Sequence, residues 1–111
     1  MCIFCKIVAG EAPCDKVFEN EDFIVIKDIN PQAPIHLLAI PKEHYADITE
    51  LDDNRAKVVG SMLKIIGEKA TEWGLEDGFR IISNKGRNGC QTVSHLHIQI
   101  LGGRLLSQKM C

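Results

Sequence analysis

The chain has 111 residues, of which 45% are hydrophobic and 25% are charged, and its formal net charge is −2. This length suits one domain with a single hydrophobic core, and we expect residues 1–111 to form that domain. A mildly acidic composition without runs of Lys or Arg argues against a nucleic-acid partner, while the lack of a long apolar run or a secretory pattern argues against a membrane partner and favours the cytoplasm.

The first half of the chain is expected to form a short helix and three strands. The segment CIFCKIVAGEAP predicts one or two helical turns that end near its Gly and Pro residues. KVFEN and FIVIKDI are typical of strands, and the acidic turn between them predicts a hairpin. The two-proline turn INPQAP reverses the chain into a further strand, IHLLAIP, which its own proline ends.

One long helix is predicted from Asp52 to Trp73. Apolar residues recur along it near the helical period and form one stripe. Acidic residues suit its N-terminal end, and Gly74 suits the position that follows its C-terminal end. A further strand, GFRIIS, and the polar loop NKGRNGCQTV come next. This order predicts an α+β fold in which a mainly antiparallel sheet carries the long helix on one face.

The last predicted strand, SHLHIQILGGR, has alternating apolar and polar residues. Its leucine and isoleucines would enter the helix-covered core, whereas His95, His97 and Gln99 would line the opposite face of the sheet. We expect these three side chains to lie mid-sheet, where the backbone holds them rigidly. A neutral imidazole can act as a nucleophile, a general base or a metal ligand, and a glutamine amide can donate to a phosphoryl oxygen at any pH. This pattern predicts a functional site.

The loop NKGRNGC stands just before this strand. Its two glycines and its amides could bring backbone N–H groups to an anion, although it matches neither phosphate-binding glycine motif. A tight turn explains the same glycines, so both interpretations stay open.

The five cysteines do not form the even set that is typical of a disulfide framework. Cys2 and Cys5 make a Cys-x-x-Cys pair, which zinc often uses together with two histidines. The histidines available for this are His36, His44, His95 and His97. The two thiols could instead simply pack among apolar residues, and we expect the remaining cysteines to be packing residues or incidental thiols: Cys14, Cys90 and Cys111.

The segment DINPQAPIHLLAIPKEH, the N-x-G of the loop and the final GGR together resemble the histidine triad (HIT) nucleotide-binding hydrolases. Within them, the chain is most similar to the small purine-nucleoside phosphoramidase branch, from IFCKIVAGEAP to HLHIQILGGR. The resemblance implies a five-stranded antiparallel sheet with a long helix, assembled as a homodimer. It also implies a cleft that binds AMP or a related purine nucleotide, and an activity that cleaves a bond to the α-phosphate of that nucleotide.

The resemblance also gives roles to individual residues. His97 matches the nucleophile, which forms a nucleotidyl-imidazole intermediate while a backbone carbonyl fixes its other ring nitrogen. His95, Gln99 and His36 complete the implied catalytic set, with His36 supporting the position of Gln99. The residues implied in contacts with base, ribose and phosphate are Phe4, Asp28, Ile29, Asn84, Gln91, Thr92, His97 and Gln99.

The chain departs from the phosphoramidase pattern at two places. Gln99 stands where the phosphoramidase branch usually has a third histidine. The nucleotidyltransferase branch of the family has a glutamine at this position. Because Gln99 cannot protonate a leaving group, it favours one of low pKa, such as a phosphate or pyrophosphate. The tail LLSQKMC also lacks the tryptophan that ends the phosphoramidase branch, which leaves the specificity on the amine side open.

The transferase branch also implies a metal. Its zinc is held by a Cys-x-x-Cys pair, an upstream histidine and the first histidine of the triad. These positions match Cys2, Cys5, His44 and His95, so we expect a structural zinc that ties the N-terminal segment to the catalytic strand and leaves His97 free.

Three functions are therefore considered. The leading hypothesis is a hydrolase or transferase that acts on a purine nucleoside phosphoramidate, an adenylylated amine or a dinucleoside polyphosphate. The second is a nucleotide-binding module with little turnover, because Gln99 leaves protonation of the leaving group unserved. The third is a zinc-dependent hydrolase in which His95 and His97 both bind a metal that carries water.

Overall fold

The computed structural model describes residues 2–108, which form five strands, two α-helices and one short 3₁₀ helix. Cys111 lies outside the described residues. The strands are β1 (Lys16–Glu19), β2 (Phe23–Lys27), β3 (Ile35–Pro41), β4 (Phe79–Ile82) and β5 (Ile98–Gly102). The helices are α1 (Ile3–Val8) and α2 (Asp53–Lys69), with the 3₁₀ helix at Ile48–Glu50. Among the described residues, no helix has both the length and the apolar character needed to cross a membrane.

The strands form one sheet in the order β1-β2-β3-β5-β4, and every neighbouring pair is antiparallel. This confirms the predicted α+β fold with a five-stranded antiparallel sheet and a long helix. Because β5 pairs with both β3 and β4, the last strand lies inside the sheet rather than at its edge. Side chains on β5 therefore have neighbours on both sides, which restricts their movement.

The two faces of the sheet bury different apolar clusters. One cluster joins strand residues such as Val25 and Ile100 to Met62 and Ile66 of α2. Met62 and Ile66 are fully buried there, and each stabilises the fold by about 1.5–3 kcal/mol. The opposite face packs alternate residues of β2 and β3 against Phe4 of α1. The predicted long helix thus covers one face, and the short N-terminal helix covers part of the other.

Helix α2 begins where the sequence predicts and ends earlier. The carboxylate of Asp52 accepts a hydrogen bond from the backbone N–H of Arg55 at 2.8 Å and caps the first turn. The helix stops at Lys69, and residues 70–74 continue as turns, closed by a bond of 2.8 Å from the N–H of Leu75 to the carbonyl of Ala70. The buried Leu75 draws the chain back to the sheet, which explains why the predicted end at Trp73 was too late.

The last strand is shorter than predicted, and the expectation that His95 and His97 lie mid-sheet was wrong. Strand β5 starts at Ile98, so only Gln99 of the three polar residues belongs to the sheet. The preceding segment leaves the ladder because the N–H of Leu96 donates to the carbonyl of Tyr45 at 2.7 Å. Both histidines are nevertheless buried, with exposed fractions of 0% for His95 and 8% for His97. Side-chain bonds, rather than strand pairing, hold them in place.

Candidate functional site

The imidazole of His97 is fixed at one nitrogen. Its Nδ1 lies 2.8 Å from the backbone carbonyl oxygen of His95. Because a carbonyl can only accept, Nδ1 carries the hydrogen and donates it, which leaves the lone pair of the neutral ring on Nε2. The resemblance implied this arrangement for the ring. A neutral histidine with an unprotonated Nε2 can act as a nucleophile or as a base.

His97 lines a cleft of about 490 Å³ on the α1 face of the sheet. Apolar side chains form much of its wall, among them Ile7, Ile26 and Leu38. Ile29 is 89% exposed, so it offers an uncovered apolar surface to a planar ligand such as a base. Six of the residues predicted to contact a nucleotide line this cleft: Phe4, Asp28, Ile29, Thr92, His97 and Gln99.

A directed chain of hydrogen bonds fixes the amide of Gln99. The backbone N–H of Gln32 donates to Nδ1 of His36 at 3.0 Å, so the hydrogen of His36 is on Nε2. That Nε2 lies 3.0 Å from Oε1 of Gln99, to which it donates. The amide nitrogen of Gln99 then donates to Oδ1 of Asn84 at 2.7 Å, and Nδ2 of Asn84 donates to the carbonyl of Gly89 at 2.7 Å. His36 therefore does support Gln99, and it sets which end of the amide donates.

Two predicted phosphate contacts lie behind the cleft rather than in its lining. Asn84 links Gln99 to the loop, as described above. The amide of Gln91 donates to the carbonyls of Ala46 at 2.6 Å and Val93 at 3.0 Å, and its oxygen accepts from the N–H of Gly86 at 2.9 Å. Both side chains brace the loop before β5, and their contact with a nucleotide stays a prediction.

The loop itself uses several of the amides that could have bound an anion. Besides the N–H of Gly86, the N–H of Cys90 donates to the carbonyl of Arg87 at 3.1 Å. The N–H of Gln91 donates to the carbonyl of Gly86 at 3.0 Å. The geometry therefore favours the tight-turn interpretation for these three amides.

Cys2, Cys5, His44 and His95 bring four potential metal ligands together. The sulfur atoms of Cys2 and Cys5 and the Nδ1 atoms of the two histidines lie 3.1–3.6 Å apart in all six pairs. Zinc bonds of about 2.3 Å to sulfur and about 2.0 Å to nitrogen would place ligand atoms about 3.3–3.8 Å apart at the corners of a tetrahedron. The residues fit a tetrahedral zinc centre.

The protonation of this cluster also suits a metal. Nε2 of His95 lies 2.7 Å from the carbonyl oxygen of Pro41 and donates to it, which leaves Nδ1 free to ligate. Burial lowers the pKa of His95 and keeps the ring neutral. Burial and the neighbouring Cys2 thiol raise the pKa of Cys5, so this thiol keeps its proton until a metal binds and displaces it. The carbonyl of Pro41 had no signal in the sequence, since every residue has one.

The metal cluster and the His97 ring are adjacent but separate. Four ligands complete the tetrahedron and leave no open position for water, as in structural rather than catalytic zinc sites. Nδ1 of His97 is already bonded to the carbonyl of His95, and His97 does not belong to the cluster. Cys14 and Cys90 also lie outside it. This geometry argues against the hypothesis that His95 and His97 share a metal that carries water.

Known proteins resemble the whole chain. The family profile described as scavenger mRNA decapping enzyme, C-terminal binding, matches residues 1–110. An uncharacterized HIT-like protein of Chlamydia muridarum (strain MoPn / Nigg) is 48% identical over 104 residues, which cover 94% of this chain and 82% of that protein. The crystal structure of a HIT family hydrolase from Legionella pneumophila Philadelphia 1 superposes with a TM-score of 0.92 and 40% identity, over 97% of both chains. A Zn-bound histidine triad family protein from Mycobacterium smegmatis superposes with a TM-score of 0.81 and 38% identity, over 93% of this chain and 75% of that one.

Proposed function

This chain belongs to the histidine triad (HIT) family, and from that membership we propose that it cleaves a bond to the α-phosphate of a nucleotide derivative through a covalent intermediate on His97. The fold is that of a HIT family hydrolase, and it provides the cleft for the nucleotide. The observation that carries the proposal is the buried ring of His97, whose Nδ1 is tied to the carbonyl of His95, so that the neutral ring has its lone pair on Nε2.

The proposed reaction has two steps. Nε2 of His97 attacks the α-phosphorus and forms a P–N bond, while the bond from phosphorus to the leaving group breaks and the leaving group keeps the electron pair. Water then attacks the same phosphorus, the P–N bond breaks with its electron pair returning to Nε2, a proton of the water passes to solvent, and the nucleoside monophosphate is released. Asp28 would accept from the ribose hydroxyls, and Phe4 and Ile29 would contact the base. A purine nucleotide is the ligand that we propose on these grounds.

We propose that Gln99 determines which leaving group is cleaved fastest. His36 and Asn84 hold its amide in one orientation, with one N–H committed to Asn84 and the other without an acceptor among the described residues. That second N–H can stabilise an oxygen that gains negative charge, but it cannot transfer a proton to it. We therefore propose that a phosphate or pyrophosphate leaving group, as in a dinucleoside polyphosphate, is cleaved faster than an amine.

Gln99→His tests this selection. We expect the substitution to raise the rate on adenosine 5′-phosphoramidate and adenylylated lysine at least about tenfold relative to the rate on diadenosine polyphosphates, because an imidazolium supplies the missing general acid. The measurement is kcat/KM for each substrate with the wild-type chain and the variant. Gln99→Ala is the control, since it removes the donor and should slow all substrates.

Two outcomes of this panel would count against the proposal. If Gln99→His leaves the ratio of rates unchanged, the leaving-group assignment is wrong. If the wild-type chain binds AMP but releases nothing from any of the substrates, the alternative function, a nucleotide-binding module with little turnover, is correct.

We also propose that the metal centre holds zinc in a structural role. The donor set of two thiols and two imidazoles supports this, and a related protein has been crystallised with zinc bound. When bound, zinc supplies bonds between α1, the loop after β3 and the segment before β5. Cys2 and Cys5 can bind zinc only when they are not joined in a disulfide, and thiols stay reduced in the cytoplasm. We therefore propose a cytoplasmic location.

A homodimer is the last part of the proposal. Strand β4 is an edge strand, and its Phe79 and Ile81 are 40% and 44% exposed. Ile81 pairs with Ile100, so it points to the α2 face, where Leu63 of α2 is 42% exposed. An edge strand beside uncovered apolar side chains favours pairing with a second copy.

A further inference from the structure

Phe4 lies between two metal ligands in the sequence and touches the rings of two histidines in the fold. The centroid of its ring is 5.9 Å from that of His95, with an interplanar angle of 84°. The corresponding values for His97 are 5.0 Å and 74°. Both are edge-to-face contacts, the arrangement that aromatic pairs prefer. One side chain therefore joins the metal centre to the reactive ring.

The position of Phe4 depends on its packing against β2 and β3 and on the contacts that hold helix α1. Helix α1 has six residues, and Phe4 is its one buried residue. A helix of this length is not stable by itself, so contacts with the rest of the fold must hold it. Apart from the side chains of Phe4, Ile7 and Val8, these include Cys2 and Cys5, which face His44 and His95 across the metal cluster. A bound metal would fix both ends of the segment that carries Phe4.

The ring of His97 needs such a support. Its one side-chain hydrogen bond among the described residues, from Nδ1 to the carbonyl of His95, holds one side of the ring and leaves Nε2, on the other side, without a hydrogen bond to hold it. A nucleophile must keep its lone pair aligned with the phosphorus, and small misalignments slow the reaction. The Phe4 ring lies edge-to-face against the His97 ring and restricts its tilt.

We propose that Phe4 is a positioning residue through which the metal centre sets the orientation of the His97 ring. Cys2, Cys5 and His95 would hold the zinc and so fix the segment that carries Phe4, and Phe4 holds His97 with Nε2 directed into the cleft. The effect on the nucleotide rests on the proposed function above, whereas the effect on the ring does not. Zinc is thus linked to the nucleotide site without any bond from zinc to the substrate.

The first experiment follows the His97 ring itself by NMR, with isotope-labelled histidine and His97→Asn for assignment. In the zinc-loaded wild-type chain we expect one sharp Cε1–H signal from His97, which shifts or broadens when a chelator removes the zinc. In zinc-loaded Phe4→Leu the signal should already be broadened or split, beyond the shift that loss of the Phe4 ring current causes in any case, and removal of zinc should change it little further. Signals of His44 and His95 must respond in both proteins, which shows that zinc has left. Lys6→Ala, an exposed position on the same helix, should behave like the wild-type chain.

The second experiment measures AMP affinity by calorimetry in the same proteins. Removal of zinc should weaken binding about 3- to 10-fold in the wild-type chain, the range expected for loss of one aromatic contact. In Phe4→Leu the further loss should be less than about 2-fold, because coupled sites are not additive. Circular dichroism of each sample shows whether it is folded. Should the zinc-free chain unfold, the comparison of zinc-loaded Phe4→Leu with zinc-loaded Lys6→Ala still decides, since only the former should broaden or split the His97 signal.

Specific results would overturn this inference. One is a His97 signal that stays a single sharp line in Phe4→Leu, or that does not respond to zinc while those of His44 and His95 do. Another is an equal loss of AMP affinity on zinc removal with and without Phe4. Failure of the proposed function looks different: the zinc-loaded wild-type chain would turn over no nucleotide substrate, while the NMR result would be unaffected.

Discussion

Replacing His97 with alanine is expected to lower turnover of every nucleotide substrate at least about a thousandfold, since the variant has no atom that can form the P–N bond. AMP binding should largely survive, because the cleft is also lined by Phe4, Asp28 and Ile29. The measurement is the rate of AMP release from a diadenosine polyphosphate, together with AMP affinity by calorimetry.

His97→Asn is the matched control for this substitution. Its amide N–H can replace the hydrogen bond from Nδ1 to the carbonyl of His95, so the local structure should be kept, but it offers no nucleophilic nitrogen. We expect this variant to be as inactive as His97→Ala and more stable. Turnover at the wild-type rate in either variant would show that another group attacks the phosphorus.

Removal of the metal should greatly lower the stability of the folded chain. A ligand that binds only the folded chain stabilises it by about 4 kcal/mol when its free concentration is about 1,000 times its Kd. We therefore expect a chelator to lower the free energy of unfolding by about that amount and the melting temperature by more than about 10 °C. Two thiols and two imidazole nitrogens would then lie close together without the ion that joins them. Thermal unfolding with and without zinc, with the zinc content measured for each sample, tests this.

Two serine variants separate the metal centre from the other thiols. Cys5→Ser changes one sulfur to oxygen and removes a zinc ligand, so it should reproduce the destabilisation and make the chain insensitive to a chelator. Cys14→Ser makes the same change at a partly buried thiol outside the cluster, and its cost should stay below about 1 kcal/mol. Equal melting temperatures for the zinc-loaded and zinc-free chain would contradict the structural role of the metal.

Much of the fold followed from local patterns in the sequence. The apolar runs of β2 and β3 and the helical period of α2 depend on side chains that lie close together along the chain, so both could be predicted. The zinc ligands could be predicted only through the resemblance, since spacing alone did not decide among four histidines. The geometry then brings His44 and His95 together from positions 51 residues apart.

The parts that the sequence could not predict depend on backbone groups and long-range contacts. The expectation that His95 and His97 lie mid-sheet failed because two bonds outside the ladder, to the carbonyls of Tyr45 and Pro41, replace strand pairing. A carbonyl is present at every residue and therefore gives no signal. In the same way, the use of Gln91 within the loop depends on three backbone groups that only the folded chain brings together.

Detection of the nucleotide on His97 tests the central claim most directly. The wild-type chain is mixed with a diadenosine polyphosphate, quenched in alkaline denaturant because a P–N bond is labile in acid, and analysed by intact-mass and peptide mass spectrometry. We predict one added nucleoside monophosphate on the peptide that contains His97, formed and lost at rates consistent with turnover. Full turnover with no adduct at any time, or an adduct on another residue that forms at the rate of turnover, would contradict the account.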